Sequence, residues 1–502
     1  MYKLFFGKRV FATLVSVTAS RWFWRGIVGL FVIQAVYIAL VGQFSMAFDE
    51  HFHLAAINEY SKVLFPWQVT QPPGPAELSA FTADGSYLYH YLMSFPYRLL
   101  RLVTTSQTAL IVMLRLLDVG IVVAGWYVFR RLLFELKLSA APAHVLLAIC
   151  MLMPMAPFMA GQLTYDALFF TSCGVTVLLL VRLLRTVSEQ RKLPLSLVAW
   201  VGVAVLVTLQ TKYAFFPAAL GAGLYMIGYL TRQTYQKRLR WSSIWQSWRT
   251  DASKGSGAVA VGVLLLTGVL FVQRYGMNYL NYGSLVPECQ VVLSHERCLG
   301  FAPYGRDADI REKGWYKTIT QKQRLTYPYK WYEKMIYESY FAVGPKEIAY
   351  PVAEPLPVPY TAGKIVAALG ALTILLRLPW ILRKNIYAQL LFAVTGTYVV
   401  FLFLKNYGAF LATAVPLSIH GRYVLPFLPL AGYLVYIGLR PLLRKQKMQT
   451  VSAVAVSILL LASLWGGGMA AYIIRSQDTW YWPTMQPISR VVRSVVAPFI
   501  LK

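Results

Sequence analysis

Two acids and two histidines stand within five residues of one another, Asp49, Glu50, His51 and His53, just beyond an apolar run from Gly26 to Val41. A run of that length is most of a membrane span, so the carboxylates emerge where a helix leaves lipid. Ionisable groups at membrane depth are expensive and point to function by default. The plainer alternative is that Asp49 only caps the next helix, accepting from free backbone N–H groups. Capping needs one acid, and two acids with two histidines exceed it. A third acid, Asp166, opens another apolar run, and the cations Lys212, Lys405 and Arg422 stand at the ends of others. His420 and Tyr423 flank Arg422. A layer of this kind suits a reaction in which a base takes a proton from a hydroxyl while cations hold a departing phosphate. Arg offers phosphate a fork, and Lys a point charge.

The elements that must position these groups are membrane helices. The chain has 502 residues, 57% hydrophobic and 14% charged, with a mean hydropathy of +0.52. Apolar runs of span length recur from end to end, which excludes a soluble globular chain. A net charge of +28 would suggest nucleic acid in a soluble protein. Here Lys and Arg cluster in loops on alternate sides of successive spans, as the positive-inside rule requires, so no nucleic-acid partner is expected. The runs near 24–45, 108–129, 140–158, 166–181, 193–210, 213–230, 256–273, 361–382, 386–404, 420–439 and 451–472 predict about eleven spans with the N-terminus inside. The stretch from Val10 to Ala19 resembles a signal h-region faintly, but Arg21 and Arg25 follow without a small-residue cleavage site, so it is kept as mature chain.

The expected organisation is one multi-spanning domain over 1–502. A first outer loop, 44–107, carries the acidic motif, a large outer loop, 274–360, forms a lid, and an outer tail covers 475–502. The basic, tryptophan-rich segment from Arg232 to Lys254 suits a cytoplasmic surface lying on anionic lipid. Arg115 and Asp118, three apart on one helix face, read as a self-neutralising pair. Cys150 and Cys173 fall in apolar runs and read as buried hydrophobes, whereas Cys289 and Cys298 share a polar outer loop and can bridge in an oxidising compartment. Lys212 and Lys405 have a plain alternative as snorkelling anchors at span ends. The chain contains no H-E-x-x-H zinc spacing, G-x-S-x-G elbow or Walker loop.

The motifs resemble one family. Asp49-Glu50 with His53 behind it is similar to the outer-loop acidic motif of the GT-C superfamily of membrane glycosyltransferases, which includes the protein O-mannosyltransferases and the aminoarabinose transferases acting on lipid A. Pro72-Pro73 followed by Y-L-Y-H-Y-L (Tyr87 to Leu92), R-L-L-D (Arg115 to Asp118) and T-Y-D-A-L (Thr164 to Leu168) resemble that family's later motifs. D-E-x-x-H together with G-R-Y-x-x-P resembles a bacterial branch of the same proteins. The resemblance implies an all-α, GT-C-like membrane fold with outer-face loop helices as a lid. It implies an outward-facing site in a plasma (inner) membrane, and inverting transfer of a sugar from a polyprenyl-phosphate donor to a hydroxyl of a glycan, lipid or protein. By that resemblance Asp49 is the base, Glu50 its neighbour and Asp166 the second-loop acid. His53, Lys212, Lys405, His420, Arg422 and Tyr423 are the substrate-binding candidates. A divalent cation could sit among Asp49, Glu50 and Asp166, but single-sugar transferases of this type generally use none, and no cofactor is expected. The large soluble insert of the mannosyltransferases is missing, which leaves the acceptor open. A transporter or flippase for a lipid-linked or anionic substrate is the competing expectation, although acids near the bilayer midplane would suit it better.

Overall fold

The structure is a computed structural model describing residues 2–47, 49–252, 255–340, 342–343, 352–353 and 355–500. It is all-helical: among the described residues the one β ladder is a two-residue antiparallel pair, Ala342–Val343 with Val352–Ala353. Among the described residues nine helices are long and apolar enough to cross a membrane, and the protein is a multi-pass membrane protein. The nine account for every predicted span except the third and fifth. Those two coincide with shorter apolar helices, Ala140–Leu152 and Leu195–Thr211. At 1.5 Å per residue the former covers only about 20 Å. Met153 and Pro154 break it before a further short helix, Met155–Ala160, continues the path.

The core is a contiguous apolar cluster drawn from helices Arg21–Val41, Gln107–Glu135, Tyr165–Arg185, Ile386–Thr413 and Leu428–Leu443. Helices Gln107–Glu135 and Tyr165–Arg185 pack closely because Gly125 lies against Phe170 and Thr171, where a Cβ would approach within 2.5 Å. Trp126, Phe129 and Phe170 form an aromatic knot there, with centroids 4.5–6.4 Å apart.

Two expectations need correction. Arg115 and Asp118 do not pair with each other. Arg115 forks onto Glu50, with both N–O distances 2.7 Å, while Asp118 accepts from the Tyr89 hydroxyl at 2.6 Å and from Thr164 N at 3.2 Å. The large loop begins later than 274, because the helical run from Gly255 continues to Tyr282. Arg274 does not end the helix, since its guanidinium turns inward onto the carbonyls of Phe81 and Asp84 and the Tyr60 hydroxyl. Cys289 and Cys298 are bridged, with Cα atoms 5.9 Å apart. The bridged loop grips the proline-rich passage of the first loop: Arg297 donates to Pro72 O at 2.8 Å and Gly74 O at 3.0 Å, and Ala76 N donates to Arg297 O. Helix Gln321–Ser339 of the large loop lies on helix Ile386–Thr413, with Tyr327 stacked on Phe410 at 4.6 Å and Trp331 Nε1 on Asn406 Oδ1 at 2.9 Å.

Candidate active site

Asp166 sits in the first turn of helix Tyr165–Arg185, where the backbone dipoles favour an acid. Thr164 caps this helix by accepting from Asp166 N at 3.3 Å. The turn before it is pinned from two sides, Leu163 N to Glu50 Oε1 at 3.0 Å and Thr164 N to Asp118 Oδ2. Asp166 therefore has little freedom, and it is almost fully buried.

Two cations face its two oxygens. Lys212, in extended backbone where helix Leu195–Thr211 ends, pairs with Asp166 Oδ1. Arg422, on the one-turn helix Gly421–Tyr423, brings Nη1 to 3.3 Å from Asp166 Oδ2. The other guanidinium nitrogen, Nη2, lies 4.0 Å from Asp49 Oδ2. Arg422 thus bridges a buried acid and an open one, the Asp49 side chain being 57% exposed. The ammonium of Lys212 also lies over the rings of Tyr423 and Tyr165, at 4.4 and 4.7 Å. Burial pushes that ammonium down to about 8. Lys405 donates to the Tyr213 hydroxyl at 3.0 Å and so stands one residue from Lys212.

Asp49 does not cap its helix. Its side chain makes no capping bond and its backbone is left-handed, with φ 65°. That conformation costs a non-glycine residue about 1 kcal/mol or more, and it turns the carboxylate outward. Gly421 is required where it stands, because a Cβ there would lie 2.3–2.6 Å from Ser339 of the lid helix. That contact seats the lid directly on the Arg422 turn, beside the pair of the partly buried His420 Nδ1 and the buried Glu338 Oε2 at 3.5 Å. Burial lowers the pKa of His420. Tyr423 is held by its own carbonyl, which accepts from the Tyr398 hydroxyl at 2.9 Å.

The structure brings together Asp49, Asp166, Lys212, Arg422 and Tyr423, with Lys405 and His420 at the edge. Glu50 is not in the group. It is fully buried, and its oxygens accept from Arg115 twice, from Met46 N and from Leu163 N. It braces the turn beneath Asp166 and is not a partner of Asp49. His53 stands one layer out, its Nδ1 2.8 Å from His90 Nε2 and its ring 4.8 Å from that of Tyr165. Burial lowers His53 well below the usual imidazole range and His90 to about 3, so both rings are neutral. Among the described residues no three His, Cys, Asp or Glu side chains converge as a metal-binding group. Asp49 and Asp166 are joined instead through a guanidinium.

Sequence reasoning missed Tyr165, Tyr213, Glu338 and His90. The first two carried a signal. Three of the four charged residues at the centre have a tyrosine beside them in the chain: Tyr165-Asp166, Lys212-Tyr213 and Arg422-Tyr423. Glu338 carried none, because it lies mid-loop and away from any span end.

No protein-family description matches the chain, and no curated protein matches it. Among solved structures the chain is similar to ArnT from Cupriavidus metallidurans bound to undecaprenyl phosphate. The identity is 13%, the match covers 96% of this chain and 74% of that one, and the TM-score is 0.42. Agreement of this size decides neither fold nor chemistry.

Proposed function

We propose that the protein transfers a sugar from a polyprenyl-phosphate donor to an acceptor hydroxyl at the outer face of the plasma (inner) membrane, with inversion at the anomeric carbon. The observation that supports this is the arrangement around Arg422, one guanidinium shared between a buried carboxylate and an exposed one, with Lys212 and Lys405 nearby. Arg422, Lys212 and Lys405 offer the phosphate three cations, while Asp49 and Asp166 face Arg422 and Glu338 stands further out against His420. A phosphodiester-linked sugar brings one negative charge, and the departing phosphate gains a second, so the site gains attraction as the bond breaks.

In this reading the donor phosphate takes the outer edge of Arg422, with Lys212 and Lys405 assisting, and frees Asp49 from its long contact. Asp49 then accepts the proton of an incoming hydroxyl, whose oxygen attacks the anomeric carbon from the face opposite the phosphate. The carbon–oxygen bond to phosphate breaks, and polyprenyl phosphate leaves with both electrons. Asp166 works through the cations it fixes. Tyr423 and His420 shape the cavity wall, and His53 keeps Tyr165 in place. A glycan, a lipid or a protein can supply the hydroxyl, and no divalent metal takes part. The test is product analysis: purified protein with a polyprenyl-phosphate sugar and a pool of hydroxyl acceptors, in chelator, should give a new glycoside and free polyprenyl phosphate by mass spectrometry. Transfer from a nucleotide sugar instead, or flux across sealed vesicles without a covalent product, would overturn the proposal.

A further inference from the structure

At the far end of the span Gly421–Leu443, which Arg422 opens, lies a second polar site. Arg440 stands 18 positions further along, in helix Leu428–Leu443, which at 1.5 Å per residue is roughly 27 Å away. That distance is close to a hydrocarbon thickness, and this is the end at which Arg440, Arg444 and Lys445 gather. Here a cavity of about 430 Å³ opens between the turn at 136–139, the start of helix Ile386–Thr413 and the last turns of Leu428–Leu443. Its polar wall is Lys137, Ser139, Asn385, Tyr387, Tyr436 and Arg440, and its floor includes Leu136 and Ile437.

Part of the wall is already satisfied. Asn385 accepts from Tyr387 N at 2.9 Å and Ala388 N at 3.1 Å, and donates to the Tyr433 hydroxyl at 3.1 Å. Tyr433 reaches Leu136 O at 3.4 Å. These bonds tie the three helix ends together and hold the cavity's shape. Other donors are left over: the Arg440 guanidinium and the hydroxyls of Tyr436 and Ser139 have no hydrogen-bond or ion-pair partner among the described residues. The ammonium of Lys137 is 3.4 Å from Glu189, but both side chains are about half exposed or more, so the pair is screened and weak.

We infer that this cavity binds a phosphate group, that of an anionic lipid in the leaflet opposite the proposed catalytic site. A fixed cavity with an unpaired guanidinium, a screened ammonium and spare hydroxyls is built for an anion with several acceptor oxygens. Basic pockets between helices at the positively charged end of a bundle take phosphate headgroups. The apolar floor gives the carbon chain beyond the phosphate somewhere to lie. The site is independent of the reaction proposed above.

The test is native mass spectrometry of the full-length protein after exchange into phosphatidylglycerol or phosphatidylcholine, with Arg440→Gln and Tyr436→Phe beside wild type. Wild type should keep phosphatidylglycerol at least tenfold better than phosphatidylcholine. Arg440→Gln should lose about tenfold of that retention, and Tyr436→Phe, which keeps the ring and its packing, a few-fold. Calorimetry with inorganic phosphate separates the sources: Arg440-dependent binding without lipid retention supports the anion site and assigns it a soluble phosphate compound. Equal retention of both lipids together with no Arg440-dependent phosphate binding would overturn the inference.

Discussion

Asp49 and Glu50 are neighbours in the chain and opposites in the structure. Glu50 is closed off, with no exposed surface, a bidentate arginine and two backbone donors on its oxygens. Asp49 is more than half exposed, caps nothing, and touches a cation only at 4.0 Å. A carboxylate whose acceptor sites are all filled is committed to holding the protein together. One left facing solvent beside an arginine that is already shared has acceptor capacity to spare. The same contrast separates the Arg115 pair, which locks helix Gln107–Glu135 to the first loop, from the Arg422 cluster, where two cations share the buried Asp166.

That contrast can be broken or sharpened in four ways. The largest effect belongs to the closed pair: Arg115→Ala strands a buried carboxylate and should cost roughly 3–5 kcal/mol, read as a collapse in yield and thermal stability in detergent. Glu50→Gln with Arg115→Met should recover most of it, and a stable Arg115→Ala protein would show that the pair is dispensable. Next, replacing Cys289 and Cys298 with Ser opens a short loop whose closure is worth roughly 2–3 kcal/mol by chain entropy. Limited proteolysis should then cut the 283–300 region and its partner at 71–76 while the spans stay intact. Uniform loss of stability would instead mean that the loop is integral to the bundle.

Third, Arg422→Ala removes a charge-assisted contact of roughly 1.5–3 kcal/mol, so the donor KM should rise about 10- to 100-fold in a folded protein, and Arg422→Lys should fall between. The smallest effect is a pH limb. Lys212 titrates near 8 because it is buried, so it is charged below that pH and neutral above it. Donor affinity should therefore fall as pH rises through 8, by less than tenfold while Arg422 and Lys405 remain charged. Lys212→Arg, which stays charged, should flatten the limb; an unchanged limb would assign it to another group.

Most of the span pattern and the cluster around Arg422 were legible for the same reason. Hydrophobic length sets where helices cross, and alternation of Lys and Arg sets which ends share a side. That arithmetic is enough to place Asp49, Asp166, Lys212 and Arg422 in one layer. It cannot assign partners within the layer. Arg115 and Asp118 share a helix face, but Glu50 and Tyr89 arrive from other segments with better geometry. The Cys289–Cys298 bridge was legible because both cysteines lie in one short loop. The Glu338–His420 contact was not, because it depends on how the lid helix folds back onto Gly421.

The claim most exposed to test is that Asp49, and not its neighbour, takes the proton. Asp49→Asn keeps the shape and removes the basicity, so single-turnover assays with the polyprenyl-phosphate sugar should show transfer slowed roughly 10²- to 10⁴-fold. Donor affinity and thermal stability should stay at wild-type values. Transfer at a near-normal rate in Asp49→Asn, with Asp166→Asn inactive but folded, would contradict the assignment and move the base to the buried acid.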